Sequence, residues 1–170
     1  MAVEPVNDEN YSDFRNSSRA ALVVSTSTCR ACREYFPVIE TLSGQMPYIR
    51  FGKTVLDRDR STRLKKRYPD LCSWMLPTTL LFLNQREAGR ISGVSFYPQA
   101  LAKIQEALVL GTTVYAHNGS GIYISASIKQ IKGLRGPYTA QLLEESGLGQ
   151  RGMVVALNDG NFKWNLEEIV

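Results

Sequence analysis

The stretch Ala20-Ala21-Leu22-Val23-Val24-Ser25-Thr26-Ser27-Thr28-Cys29-Arg30-Ala31-Cys32 decides how this chain is read. Its first six residues are a short, nearly continuous apolar run, the pattern of a strand covered on both faces. A polar turn, Thr26-Ser27-Thr28, then delivers Cys29. From Arg30 to Leu42, Tyr35, Ile39 and Leu42 recur at helical spacing beside Phe36, so a helix begins just after the first cysteine. Pro37 is expected to kink this helix, and Ser43-Gly44 to end it.

Two residues between cysteines place the sulfurs within disulfide reach on one helical turn. Alone, such a pair fits a redox dithiol, half of a zinc site, or chance, and only its surroundings decide. Asn10 to Ser18, with Tyr11 and Phe14, is a short amphipathic helix. Tyr48 to Leu56 is expected as a second strand. Ser61 to Tyr68 is a polar helix with Leu64 and Tyr68 inward, and Pro69 lies beyond its end. Thr78 to Leu83 is a strong strand, and Asn84 to Glu87 turns it into an antiparallel partner, Ala88 to Ser92. Pro98 suits the first turn of a last helix, whose apolar stripe is Leu101, Ile104 and Leu108. The order is helix, strand, helix, strand, helix, strand, strand, helix. It gives an α/β fold, a mixed central sheet with helices on both faces.

Over roughly residues 10–110 the chain resembles the thioredoxin family. The C-x-x-C follows a buried strand and opens a helix; Pro37 lies five residues after Cys32; Asp57 closes the next strand; Leu76-Pro77-Thr78 opens the hairpin and Gly93 ends it. The resemblance implies a thioredoxin-like mixed sheet and a cis Leu76–Pro77 bond facing the dithiol. It makes Cys29 the nucleophile, activated by unpaired backbone N–H groups and the helix dipole, and Cys32 the thiol that resolves the mixed disulfide. Arg30 adds a nearby cation. Together with Ala31, Leu76, Pro77, Gly93 and Val94, it would line a groove where an extended peptide pairs with exposed backbone.

Three departures narrow this reading. Val23 stands where the family buries an acid six positions before the nucleophile, although the acid's usual lysine partner survives as Lys53. Thr28 replaces a tryptophan, and Arg30-Ala31 replaces Gly-Pro. The expectation is a thiol–disulfide oxidoreductase acting on protein disulfides, specialised rather than general, with no cofactor and an unidentified electron donor. The alternative is a thioredoxin-fold binding module or redox sensor.

The chain's 170 residues suit one domain, 1–110, plus an extension, 111–170. The extension is expected to be a small α+β element. Its strands are Thr113 to Ala116 and Gly121 to Ile128, split by the turn His117-Asn118-Gly119-Ser120. A helix from Tyr138 to Ser146 stops at Gly147, and a strand from Met153 to Leu157 closes in the turn Asn158-Asp159-Gly160. It is read as a surface for a specific protein partner or for dimerisation, or as a cap on the sheet edge.

The net charge is +4, and Arg58 to Arg67 is rich in basic residues. Asp57, Asp59 and Asp70 interrupt that stretch without an aromatic ladder, so it reads as a solvated face rather than a nucleic-acid surface. Three cysteines, an odd count, argue against a disulfide framework. Cys72 is expected as a partly buried thiol, His117 as a loop residue, and Trp74 and Trp164 as packing residues. A zinc site from Cys29, Cys32, Cys72 and His117 lacks a second closely spaced pair, so no metal is expected. No apolar run is long enough to span a bilayer. Met1 to Pro5 has neither the basic start nor the apolar segment of a secretory signal, so a cytoplasmic location is expected.

Overall fold

A computed structural model describes residues 3–117, 119–134, 136–145, 148–158 and 160–169. The chain divides into two compact units, Met1–Leu108 and Val109–Val170.

The first unit runs β1 (Glu4–Pro5), α1 (Tyr11–Arg15), β2 (Arg19–Ser25), α2 (Arg30–Gln45), β3 (Arg50–Val55), α3 (Thr62–Arg67), β4 (Thr78–Leu83), β5 (Arg86–Ser92) and α4 (Tyr97–Leu108). The strands lie in the order β1-β3-β2-β4-β5. β1 and β2 run parallel to β3, while β2–β4 and β4–β5 are antiparallel. The mixed sheet expected from the element order is present. The two-residue strand β1 was not expected; it is too short to carry a hydrophobic period.

β2 is buried along six of its seven residues because both faces of the sheet are covered. Ala20, Leu22 and Val24 join Leu80 and Phe82 in a core with Tyr11, Phe14, Leu64 and Tyr68, the face beneath α1 and α3. Alternation along a strand sends Ala21 and Val23 to the opposite face, that of α2 and α4. Gly52 on β3 makes the first core possible. A Cβ there would sit 2.6 Å from both the Phe14 ring and a Val6 methyl.

Local chemistry sets the boundaries. Asn84 and Gln85 both have positive φ, +48° and +70°, so the β4–β5 hairpin closes with a two-residue primed turn. The second hairpin strand therefore begins at Arg86, two residues before the expected Ala88. α2 runs past the expected stop at Ser43-Gly44 to Gln45, and Pro37 lies within it. Arg19, nearly fully buried, donates from Nε to the Leu108 carbonyl at 2.9 Å. Its cation thereby caps the negative end of α4.

The second unit is an antiparallel sheet of β6 (Thr113–His117), β7 (Tyr123–Ile131), β8 (Tyr138–Leu142), β9 (Val154–Leu157) and β10 (Phe162–Lys163), in the order β10-β6-β7-β8-β9. The helix expected over Tyr138 to Ser146 is instead β8. Tyr138, Ala140 and Leu142 are buried while Thr139 and Gln141 are half-exposed, a period of two rather than 3.6. Among the described residues this unit contains only a short 3-10 turn, Leu166–Glu168, as helix, so the extension is a β element and not α+β. Its core includes Tyr138, Phe162 and Trp164, packed edge to face with ring centroids 5.0–5.6 Å apart. Asn118, Ser146, Gly147 and Asp159, assigned to turns and a helix end from sequence, lie outside the described residues.

Candidate functional site

The end of β2 and the start of α2 build the site. Cys29 is the residue before the helix, with extended backbone (φ −78°, ψ 105°), and its sulfur accepts the Cys32 backbone N–H at 3.1 Å. The sulfur thus occupies the place of an N-cap acceptor, where otherwise unpaired N–H groups and the helix dipole stabilise negative charge. Cys29 and Cys32 are joined as a disulfide, with Cα atoms 5.3 Å apart. Cys29 is half-exposed and Cys32 buried, so a substrate sulfur can approach only the first.

Asp57, just beyond β3, holds the preceding turn. Its carboxylate accepts the Ser27 backbone N–H at 2.8 Å and the Ser27 hydroxyl. The hydroxyl and then the amide of Ser27 hold its pKa below the ordinary aspartate value of 3.8, more than residual desolvation raises it. From sequence Asp57 marked only the end of a strand.

Antiparallel pairing sets Thr78 opposite Val24, so the cis Leu76–Pro77 bond lies at the same sheet end from which Cys29 emerges. The Pro77 carbonyl accepts the Gly93 N–H at 2.7 Å, tying the start of β4 to the residue after β5. Gly93 has φ +75°, and a Cβ there would meet the Met75 sulfur at 2.9 Å, so glycine serves both backbone and packing. Pro77 and Gly93 are buried, Ala31 half-buried and Arg30 exposed; Arg30 pairs with Glu34 at 3.0 Å. Leu76 packs partly against the α1/α3 core. Val94 is exposed, and Met75 and Phe96 are more so, at 69% and 77%. Sequence reading singled out neither Met75 nor Phe96, because exposure of an apolar side chain carries no local pattern.

Behind the dithiol, Val23 is buried with Thr79 opposite it on β4 and Lys53 opposite it on β3. The Lys53 ammonium lies over the Phe36 ring, 4.2 Å from its centroid. The Thr79 hydroxyl is hydrogen-bonded to that of Tyr35 at 3.2 Å, and both residues are fully buried. Helical spacing marked Tyr35 only as core.

Other candidates fall elsewhere. Cys72 is an exposed free thiol, not a partly buried one, because it sits in a short 3-10 turn, Leu71–Ser73, whose only buried member is Leu71. Trp74 packs edge to face on Tyr68, and the Arg90 guanidinium lies 4.4 Å from its ring centroid. His117 accepts the Gly121 N–H at Nε2, 3.1 Å away, and packs on Tyr123. Among the described residues, no group of three or more His, Cys, Asp or Glu converges in a metal-binding arrangement, and no helix is long and apolar enough to cross a membrane.

Comparison with known proteins agrees with this geometry. Thioredoxin from Chlamydia pneumoniae is 26% identical over 92 residues, 54% of this chain and 85% of the relative. Over that span the chain is similar to thioredoxins. Thioredoxin from Chlamydia muridarum is 29% identical over the same extent. Among solved structures, Malassezia sympodialis thioredoxin (TM-score 0.53, 15% identity) covers 62% of this chain and 90% of its own. Chlamydomonas reinhardtii thioredoxin f2 (TM-score 0.53, 17% identity) covers 62% and 95%, and these two show the same fold. No family model matches the chain.

Proposed function

We propose that this protein is a thiol–disulfide oxidoreductase acting on protein disulfides through Cys29 and Cys32. The observation that carries the reading is the asymmetry of the pair: an accessible sulfur capping α2 and a buried one a turn later. In the reduced chain the Cys29 thiolate attacks a substrate disulfide, forming a mixed disulfide and expelling one substrate thiolate. Cys32 then loses its proton and attacks the Cys29 sulfur, which releases the second substrate thiolate and closes the disulfide described above. The substrate gains two electrons, the dithiol loses two, and a separate donor must restore it.

Pro77, Gly93 and Val94 form the ground on which substrate backbone would lie, with Arg30 and Ala31 at the opposite rim. Met75 and Phe96 extend that ground with exposed apolar surface, partly replacing the aromatic group that Thr28 lacks. Val23 and Arg30-Ala31 favour a specialised role over general reduction. Insulin-disulfide reduction, run beside an ordinary thioredoxin, tests both levels. Slower turnover with alkylation showing Cys29 and Cys32 cycling supports the reading; equal rates remove the specialisation, and no cycling removes the chemistry.

A second reading is favoured by the 109–170 unit, a separate β element outside the thioredoxin-like span. It would recognise a specific partner, with the dithiol as a redox sensor. A chain with both Cys29 and Cys32 changed to Ser that keeps all partner binding and biological effect supports the sensor; one that loses the effect supports the enzyme.

A further inference from the structure

Resting on the oxidoreductase reading, we propose that Tyr35, supported by Thr79, is a positioning residue for the resolving thiol: in the reduced chain its O–H donates to the Cys32 sulfur and favours the thiolate that closes the disulfide. The resolving step needs the Cys32 thiol to lose its proton. Cys32 is buried, and a buried thiol resists ionisation because its charged form is poorly solvated. A carboxylate at the strand position facing α2 could take the proton, but Val23 stands there and offers none.

The polar atoms on this face lie beside Val23. Thr79 is its cross-strand partner, and the Thr79 hydroxyl bonds that of Tyr35. Tyr35 follows Cys32 by three residues on the same buried face of α2, and long helical side chains lean back over the preceding turn. The phenol is therefore directed toward the turn that holds Cys32, with its oxygen held by Thr79. Two hydroxyls this deeply buried need partners. In the oxidised chain they satisfy each other. In the reduced chain Thr79 donates to the Tyr35 oxygen, which frees the phenol proton for the sulfur.

Burial raises the Tyr35 pKa above 10.0, so the group stays neutral and acts as a donor, never as a base. The Cys32 proton itself leaves to solvent. The charged groups on the first two turns of α2 are Arg30, Arg33 and Glu34, with Glu40 further along; β3 carries Arg50 and Lys53, and Asp57 lies beyond it. α4 turns only Ala100, Ile104 and Leu108 inward. Lys53 is held over Phe36, and Asp57 is bonded to Ser27.

The test isolates resolution from capture. Every sample carries Cys72→Ser, since that exposed thiol would also react. The reduced full chain is treated with one equivalent of dithiodipyridine in acid. Cys29 forms a mixed disulfide, with release of one thiopyridone. A jump to each higher pH then follows the second thiopyridone, expelled when Cys32 attacks Cys29. In Tyr35→Phe and in Thr79→Val, second release at neutral pH is expected to slow about tenfold. Its pH midpoint should rise by about one unit, the size of one hydrogen bond to a charged acceptor. First release should stay unchanged, and Thr79→Ser should restore the parent profile. If both variants resolve with the parent profile, or if the loss appears equally in capture, the inference is overturned. If the parent itself shows no second release, the oxidoreductase reading fails instead, and the two failures are distinguishable.

Discussion

Strand β2 of the first unit and strand β8 of the second both lie inside five-stranded sheets, yet they announce themselves differently. β2 is covered on both faces and is buried from Arg19 to Val24, so its sequence is an almost unbroken apolar run. β8 alternates buried and half-exposed residues over only five positions, then meets Leu143-Glu144-Glu145, good helix formers. A two-sided strand can be read from a few residues. A short one-sided strand followed by helix-forming residues is read as a helix, and only its pairing with β7 and β9 decides otherwise.

The chemistry sharpens the contrast, since the reactive sulfurs lie in the first unit. In a Cys72→Ser background, which removes the exposed free thiol, Cys29→Ser should abolish exchange with protein disulfides, and Cys32→Ser should trap the mixed disulfide, visible as a mass adduct. The second unit's fluorescence, reported by Trp164 in a Trp74→Phe background, should not change. Residual exchange in Cys29→Ser above the uncatalysed rate would break the assignment of the nucleophile.

The next largest effect belongs to the β unit. Trp164→Ala removes one member of the Tyr138–Phe162–Trp164 cluster and should cost about 3–5 kcal/mol. Circular dichroism during denaturant unfolding, with the disulfide-reduction assay in parallel, measures whether this loss leaves Cys29 chemistry at its parent rate. Gly52→Ala addresses the other core. With Phe14 and Val6 each 2.6 Å from the added carbon, destabilisation of about 1–3 kcal/mol is expected, read from Trp74 fluorescence.

The smallest effect is electrostatic. Asp57 has a folded-state pKa below the unfolded value, so its contribution is complete above that unfolded value and disappears as pH falls through the folded one. The parent should therefore lose order in the Ser27 turn as pH falls below the ordinary aspartate value of 3.8, more steeply than Asp57→Asn, as followed by amide NMR shifts of Ser27 and Thr28. Identical profiles would show that Asp57 is not the group that titrates.

Legibility followed the range of the cause. The dithiol, its turn and its helix lie within a few residues of one another, so local spacing revealed them. Asp57, Leu76-Pro77 and Gly93 were visible only as an ordered set, and the role of Asp57 emerged when Ser27 was found on its carboxylate. Tyr35 and Thr79 were hidden because a core tyrosine and a strand threonine look ordinary until the register of β2 and β4 brings Thr79 beside Val23.

The sequence by itself determined that an accessible cysteine precedes a helix and a second one follows a turn later, because apolar period and N-terminal helix chemistry are short-range properties. Tertiary structure decided that Thr79, bonded to Tyr35, lies opposite Val23, that Arg19 caps a helix ending at Leu108, and that the region after residue 109 is β. Those outcomes depend on partners far apart in the chain, and burial rather than local preference selects among them.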